Sequence, residues 1–234
     1  MAGIMQVMAS MKPASTVATG VVTANLQLYL NAADSASYPG SGTTWTDLSP
    51  NAYATTLVGA PAYNSTYFTF DGTTEYDNTN QSLAFESFSV GAWFRTSAAG
   101  IKMLLSKETT AGNPWNYRVW LNGGQLNFDM SQVTTQSALA SPLSSYNNGS
   151  WYCVMATRDD SNWYLYVNGS QVATKVDPYT GSVTNAQNLW IGRSAYTLGY
   201  QYTGDIGQVF VYDRVLSSSE ILQNYNATRS TYGL

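Results

Sequence analysis

The chemistry open to this chain is bounded by the side chains it lacks. It has 234 residues, no histidine and one cysteine, Cys153. Without histidine the commonest general base and the commonest zinc ligand are missing, and no Ser–His or Cys–His nucleophile can be assembled. Cys153 lies in the apolar run from Trp151 to Arg158, where a thiol packs as an inert core group. That leaves the carboxylates. Glycosidases built on β-sandwiches carry two of them on one strand, two residues apart, so that both face the groove. Only four glutamates occur, Glu75, Glu86, Glu108 and Glu220, and Glu75-Tyr76-Asp77 is the nearest pair at that spacing. It reads as a solvated edge or loop, and Asp159-Asp160 as a turn between strands. No glycine-rich phosphate loop precedes a helix. The residues point away from an enzyme, and no catalytic residue is assigned.

Aromatic side chains are abundant instead, with 18 Tyr and 7 Trp. Ring faces stack on sugars, while neighbouring amides and hydroxyls fix orientation. Two stretches could present such rings: Trp115-Asn116-Tyr117, after Pro114, and Tyr196-Thr197-Leu198-Gly199-Tyr200-Gln201-Tyr202. The candidate glycan-binding residues are therefore Trp115, Tyr117, Tyr196, Tyr200 and Tyr202. The competing reading packs these rings inside the domain or in a subunit interface.

The elements that must position these residues are strands. Charged residues make up 10% of the chain, against about 25% in an average domain; Ser, Thr, Asn, Gly and Tyr replace them. The net charge is −4 and there is no Lys/Arg run, so binding to nucleic acid or to an anionic membrane is not expected. Phe88, Val90, Ala92 and Phe94 alternate with Ser87, Ser89, Gly91, Trp93 and Arg95, a period of two. Tyr117–Leu121 and Gln125–Met130 flank Asn122-Gly123-Gly124, and Trp163–Val167 and Gln171–Val176 flank Asn168-Gly169. Both read as hairpins, because Asn-Gly tolerates the positive φ of a type I′ turn. Trp151–Arg158 is apolar on both faces and suits a central strand. Ser217 with Glu220 three residues on is a capping box opening a short C-terminal helix. Residues 1–23 lack aromatics and read as an extended N-terminal arm, held by its own domain or by a neighbouring chain. They show no signal peptide. One domain over 24–234 follows.

The ordered motifs Tyr166-Val167-Asn168-Gly169, Ile191-Gly192 and Gly204-Asp205-Ile206-Gly207-Gln208-Val209-Phe210-Val211-Tyr212-Asp213-Arg214-Val215-Leu216-Ser217 with Glu220-Ile221 resemble the laminin-G-like, concanavalin A-like jelly-roll superfamily. Phe70-Asp71-Gly72 and Trp45-Thr46-Asp47-Leu48-Ser49 fit it as well. The resemblance implies an all-β, two-sheet antiparallel jelly-roll sandwich. Gly207-Gln208 departs from it, standing where the family often has Asp-Glu. Many members hold calcium at one edge, which needs several hard oxygen ligands. The candidates Asp71, Asp77 and Asp205 are scattered, so no metal and no other cofactor is assigned. The opening from Asp34 to Trp45 also looks like structural proteins of tailed bacteriophages. The expectation is a non-enzymatic virion structural protein, a capsid-surface decoration or fibre-associated subunit. It would be made in the host cytoplasm, carried on the particle surface, and homo-oligomeric with capsid or other virion proteins as partners. The alternative is a lectin-like adhesion module that binds cell-surface glycans.

Overall fold

The computed structural model describes residues 20–109, 112–132, 135–180, 182–197 and 199–234, with the backbone alone for 112–115. In chain order the strands open with β1 (Leu26–Asn31), β2 (Thr44–Thr46), β3 (Ala54–Val58), β4 (Ala62–Tyr63), β5 (Phe68–Asp71) and β6 (Tyr76–Asn78). The middle of the chain forms β7 (Phe88–Arg95), β8 (Ile101–Thr109), β9 (Gly112–Asn122), β10 (Gln125–Gln132) and β11 (Thr135–Ala140). Then come β12 (Trp151–Arg158), β13 (Asn162–Val167), β14 (Ser170–Val176), β15 (Trp190–Ile191) and β16 (Thr203–Tyr212). A helix α1 (Ser218–Thr228) and a 3₁₀ turn (Arg229–Tyr232) close the chain.

The strands form two antiparallel sheets. The first runs β14-β13-β12-β7-β16-β5-β4, with β1 also paired to β16; the second runs β11-β10-β9-β8-β15-β6-β3-β2. Their facing sides make the main core. Phe68, Phe88, Val90, Phe94, Val154 and Val209 from the first sheet meet Tyr117, Val119, Leu121, Phe128 and Ile191 from the second. Each such side chain contributes about 1.5–3 kcal/mol by leaving water. Both expected hairpins are present: Gly123 and Gly124 have φ of 55° and 87°, and Asn168 and Gly169 have 50° and 78°. A Cβ at Gly169 would lie 2.9 Å from Leu222 Cδ1, so the turn also leaves room for α1.

The outer side of the first sheet is a second apolar layer. Trp93, Cys153, Met155, Tyr166, Phe210 and Tyr212 pack there under Ile221 and Tyr232. Ser217 caps α1 with the full capping box. Trp93 stacks on Tyr225 at 5.6 Å and on Tyr232 at 4.4 Å, and its Nε1 donates to Thr228 Oγ1 at 2.8 Å. The Gly207 departure has a steric reason: a Cβ there would sit 2.2 Å from the Tyr232 hydroxyl oxygen. Bare backbone lets the chain end close over the sheet. Burial on both faces explains why β12 is a continuous apolar run. Of the N-terminal arm, residues 1–19 lie outside the described residues. Val22 N donates to Asn224 Oδ1 at 2.8 Å, and the Tyr212 hydroxyl donates to Val22 O at 2.9 Å, so residues 20–23 lie against α1.

Candidate functional site

α1 and the 3₁₀ turn close the outer face of the first sheet, and the outer face of the second sheet lies away from them. Strand parity decides which side chains it carries. Along β9, Tyr117, Val119 and Leu121 point into the core, so Arg118 and Trp120 point out. Met103 lies opposite Trp120, and Ser106 opposite Arg118. Asp129 pairs with Arg118 of β9 and with Ala138 of β11.

Residues 192–197 and 199–202 lie on this face and are pinned to β8. Gly192 N donates to Leu104 O at 2.8 Å, Met103 N to Tyr200 O at 2.7 Å, and Ser106 Oγ to Arg193 O at 2.7 Å. Between these residues and the sheet lies a pocket of about 210 Å³, lined by Ile101, Met103, Arg118, Trp120, Gln136 and Tyr200. Trp120 and Tyr200 are half-buried, and Gln136 is exposed. The Trp120 indole Nε1 has no hydrogen-bond partner among the described residues. Beneath the pocket, Arg118 Nε donates to Asp129 Oδ1 at 2.8 Å, and Nη2 pairs with Oδ2. Arg118 Nη1 lies 3.3 Å from Glu108 Oε2. Burial raises the Asp129 carboxyl above its ordinary value, and the Arg118 guanidinium opposes that. On the far side of β8, Arg193 lies over Tyr76 and Trp190, its Cζ 4.4 and 5.1 Å from their ring centroids.

Two other hollows offer no open ring. One of about 500 Å³ is lined by Glu86, Arg158, Asp160, Tyr179, Thr180 and Ser182; there Arg158 pairs with Asp177 at 2.7 Å and Tyr179 is buried. Another, of about 310 Å³, contains Arg95 and Asp205, which pair at 2.6 Å.

The residues singled out by sequence separate into three groups. Tyr200 lines the pocket and Tyr196, 54% exposed, is at the surface of the same segment. Tyr117 and Tyr202 are corrected: both are fully buried. Tyr117 packs on Phe88 at 4.9 Å and donates to Leu83 O, and the Tyr202 hydroxyl donates to Arg95 O at 3.0 Å. Neither can offer a face to a sugar. Trp115 pairs through its backbone with Glu108 and Ser131; its side chain lies outside the described residues. Sequence reasoning misses Trp120, Arg118 and Gln136. The signal for Trp120 is the alternation along Tyr117–Leu121, ambiguous because both faces carry an aromatic ring.

The three calcium candidates do not meet. Asp71 caps its own turn: Oδ1 accepts from Thr73 N at 2.7 Å, Thr74 N at 3.0 Å and Glu75 N at 3.1 Å. Burial raises its carboxyl, and those hydrogen bonds outweigh it and hold it well below the ordinary range. Asp77 is buried in the core and accepts from Thr55 Oγ1 at 2.6 Å. Asp205 is taken by Arg95 and Thr69. Among the described residues no three His, Cys, Asp or Glu side chains gather as metal ligands. Glu75 accepts from Asp71 N at 2.7 Å while Asp77 faces inward, so this pair does not share a groove. Asp159 Oδ1 accepts from Ser161 N at 2.7 Å and Asn162 N at 2.6 Å, as a turn residue does. Burial pushes the Cys153 thiol up to about 12, which keeps it unreactive.

Two antiparallel sheets packed as a sandwich, with one short C-terminal helix, are the architecture of a concanavalin A-like jelly roll. The chain belongs to the concanavalin A-like lectin/glucanases superfamily, residues 70–222 matching its Laminin_G_3 family. No curated protein matches the chain. Among solved structures, the binding domain of botulinum neurotoxin DC in complex with SialylT superposes with a TM-score of 0.67 at 13% identity, over 87% of this chain and 51% of that one. The chain thus spans about half the length of that neurotoxin domain. The CBM40 of the Ruminococcus gnavus IT-sialidase, bound to α2,3-sialyllactose, superposes with a TM-score of 0.57 at 20% identity, over 67% of this chain and 94% of that one. At these identities the likeness is one of fold. None of these findings points to a virion.

Proposed function

We propose that this chain is a carbohydrate-binding module and that the pocket lined by Trp120 and Tyr200 receives a sugar ring. The observation that carries this reading is the pairing of two half-buried rings with polar groups in one small pocket on the face that α1 leaves open. Rings supply apolar contact area, and Gln136 and Arg118 supply directional hydrogen bonds for hydroxyls,. The solved structures of similar fold that are titled as carbohydrate complexes lend support from fold alone,.

The two carboxylates beneath the pocket do not make it hydrolytic in this reading. The Glu108 and Asp129 side chains have no accessible surface, so a sugar cannot reach them, and hydrolysis needs an acid and a base in contact with the scissile bond. The test is calorimetric titration of the purified chain with ligands chosen from a glycan array. Trp120→Ala and Tyr200→Ala should each weaken binding by about tenfold or more, a loss near 1.4 kcal/mol, with the thermal midpoint little changed. Wild-type affinity retained in both variants would remove the pocket from the function.

A further inference from the structure

The charge beneath the pocket restricts which sugar can enter. Arg118 is the one cation among the described residues lining it. Its guanidinium edge is turned to Asp129, through Nε at 2.8 Å and through Nη2, and Nη1 faces Glu108. Both partner carboxylates are fully buried, while Arg118 keeps 12% of its side-chain surface. By formal count the cluster sets two carboxyl groups against one guanidinium, and Arg118 favours the ionised form of Asp129 against its burial,. The carboxylates are held in place from other directions too. Gln136 Nε2 donates to Asp129 Oδ2 at 3.2 Å, and Ser194 Oγ and Tyr196 N donate to Glu108 Oε1.

A ligand carboxylate is gripped best by two parallel N–H donors of one guanidinium. Here Asp129 already occupies that edge. An acidic sugar entering the pocket would meet a surplus of negative charge in a half-desolvated place, where repulsion is least screened. A neutral sugar meets no such opposition, and its hydroxyls can donate to the exposed Gln136 amide oxygen. Arg193, the other arginine on this face, lies flat on Tyr76 and Trp190 and is not part of the pocket lining.

We infer that the pocket selects neutral sugars over sugars carrying a carboxylate, and that the Glu108–Arg118–Asp129 cluster sets that preference. The inference rests on the carbohydrate-binding reading above. It is tested with matched pairs that differ only in an acidic residue: lactose against 3′- and 6′-sialyllactose, and a neutral xylo-oligosaccharide against its glucuronic acid derivative. The neutral member should bind about tenfold tighter or more, and the acidic member should gain affinity as salt is raised. Glu108→Gln, which removes one negative charge with little change of shape, should move the ratio toward the acidic member while circular dichroism stays unchanged. Should that variant fail to fold, the salt dependence of the wild type decides. Equal or tighter binding of the acidic members overturns the inference and leaves the carbohydrate-binding reading standing. Acidic binding that is lost in Arg193→Gln would overturn it by placing recognition at Arg193. If neither member of any pair binds, the carbohydrate-binding reading falls and this inference falls with it.

Discussion

Asp77 is a carboxylic acid enclosed between two sheets, and its effect on stability follows from its surroundings. Burial raises it from 3.8 to about 7, against the hydrogen bond from Thr55 and backbone hydrogen bonds. A carboxyl that holds its proton more tightly in the folded state contributes stability that is full below its ordinary value and is lost as pH rises through about 7,. Stability should therefore fall between about pH 4 and pH 7, by up to about 4 kcal/mol from this group, and change no further above that. Asp77→Asn should flatten this part of the profile and be the more stable protein at pH 8. Urea unfolding at pH 5 and pH 8 measures both; parallel profiles for the two proteins would show that Asp77 ionises freely. Sequence alone places Asp77 two residues from Glu75, as an exposed pair would be. It does not show that β6 turns Asp77 inward, because a three-residue strand is too short to reveal its own period,.

At the scale of elements, legibility follows contrast. The hairpins β9–β10 and β13–β14 are readable because Gly123-Gly124 and Asn168-Gly169 adopt positive φ and their flanks are aromatic. The helix is readable from its capping box. β3 and β11 are not. Ala54–Val58 and Thr135–Ala140 are rich in small polar residues, and β11 is an edge strand with five of six residues exposed or half-exposed, so neither reads as alternating. An unread β11 also hides Gln136, and with it one wall of the pocket. The helix yields a prediction at this scale. Ser217 Oγ accepts from Glu220 N, Glu220 Oε2 accepts from Ser217 N at 2.8 Å, and Arg214 holds the same carboxylate. Arg214 foremost, together with Ser217, keeps the Glu220 carboxyl down at about 2. Ser217→Ala should cost about 1 kcal/mol. Glu220→Gln should also destabilise at neutral pH, and the difference from wild type should shrink as pH falls through about 2,. Thermal melts from pH 7 to pH 2 follow both; a Ser217→Ala protein as stable as wild type would mean that the cap adds nothing beyond the packing of Ile221.

At the scale of the molecule, the sandwich has one sealed face and one open face, and the seal is made by the last residues of the chain. Removing residues 217–234 would bare Trp93, Phe210 and Tyr212, which pack under Ile221 and Tyr232. Exposed apolar areas of that kind drive association. The shortened chain should bind a hydrophobic dye and elute from size exclusion as larger species, while a monodisperse monomer would show that the second apolar layer is dispensable. The pocket lies on the opposite sheet, so this change tests the architecture rather than the site.

The arrangement of the chain ends has a practical consequence. Gly20 O accepts from Gln223 Nε2 at 2.7 Å, and the final 3₁₀ turn lies on the same side of the sandwich, so the first described residues and the carboxyl end emerge together, away from Trp120 and Tyr200. A bead, a scaffold or a neighbouring module joined at the carboxyl end would hold the molecule from behind. The face that carries the Trp120 and Tyr200 pocket would then point outward, with the fold itself, rather than the length of any tether, deciding the orientation in which the module is displayed.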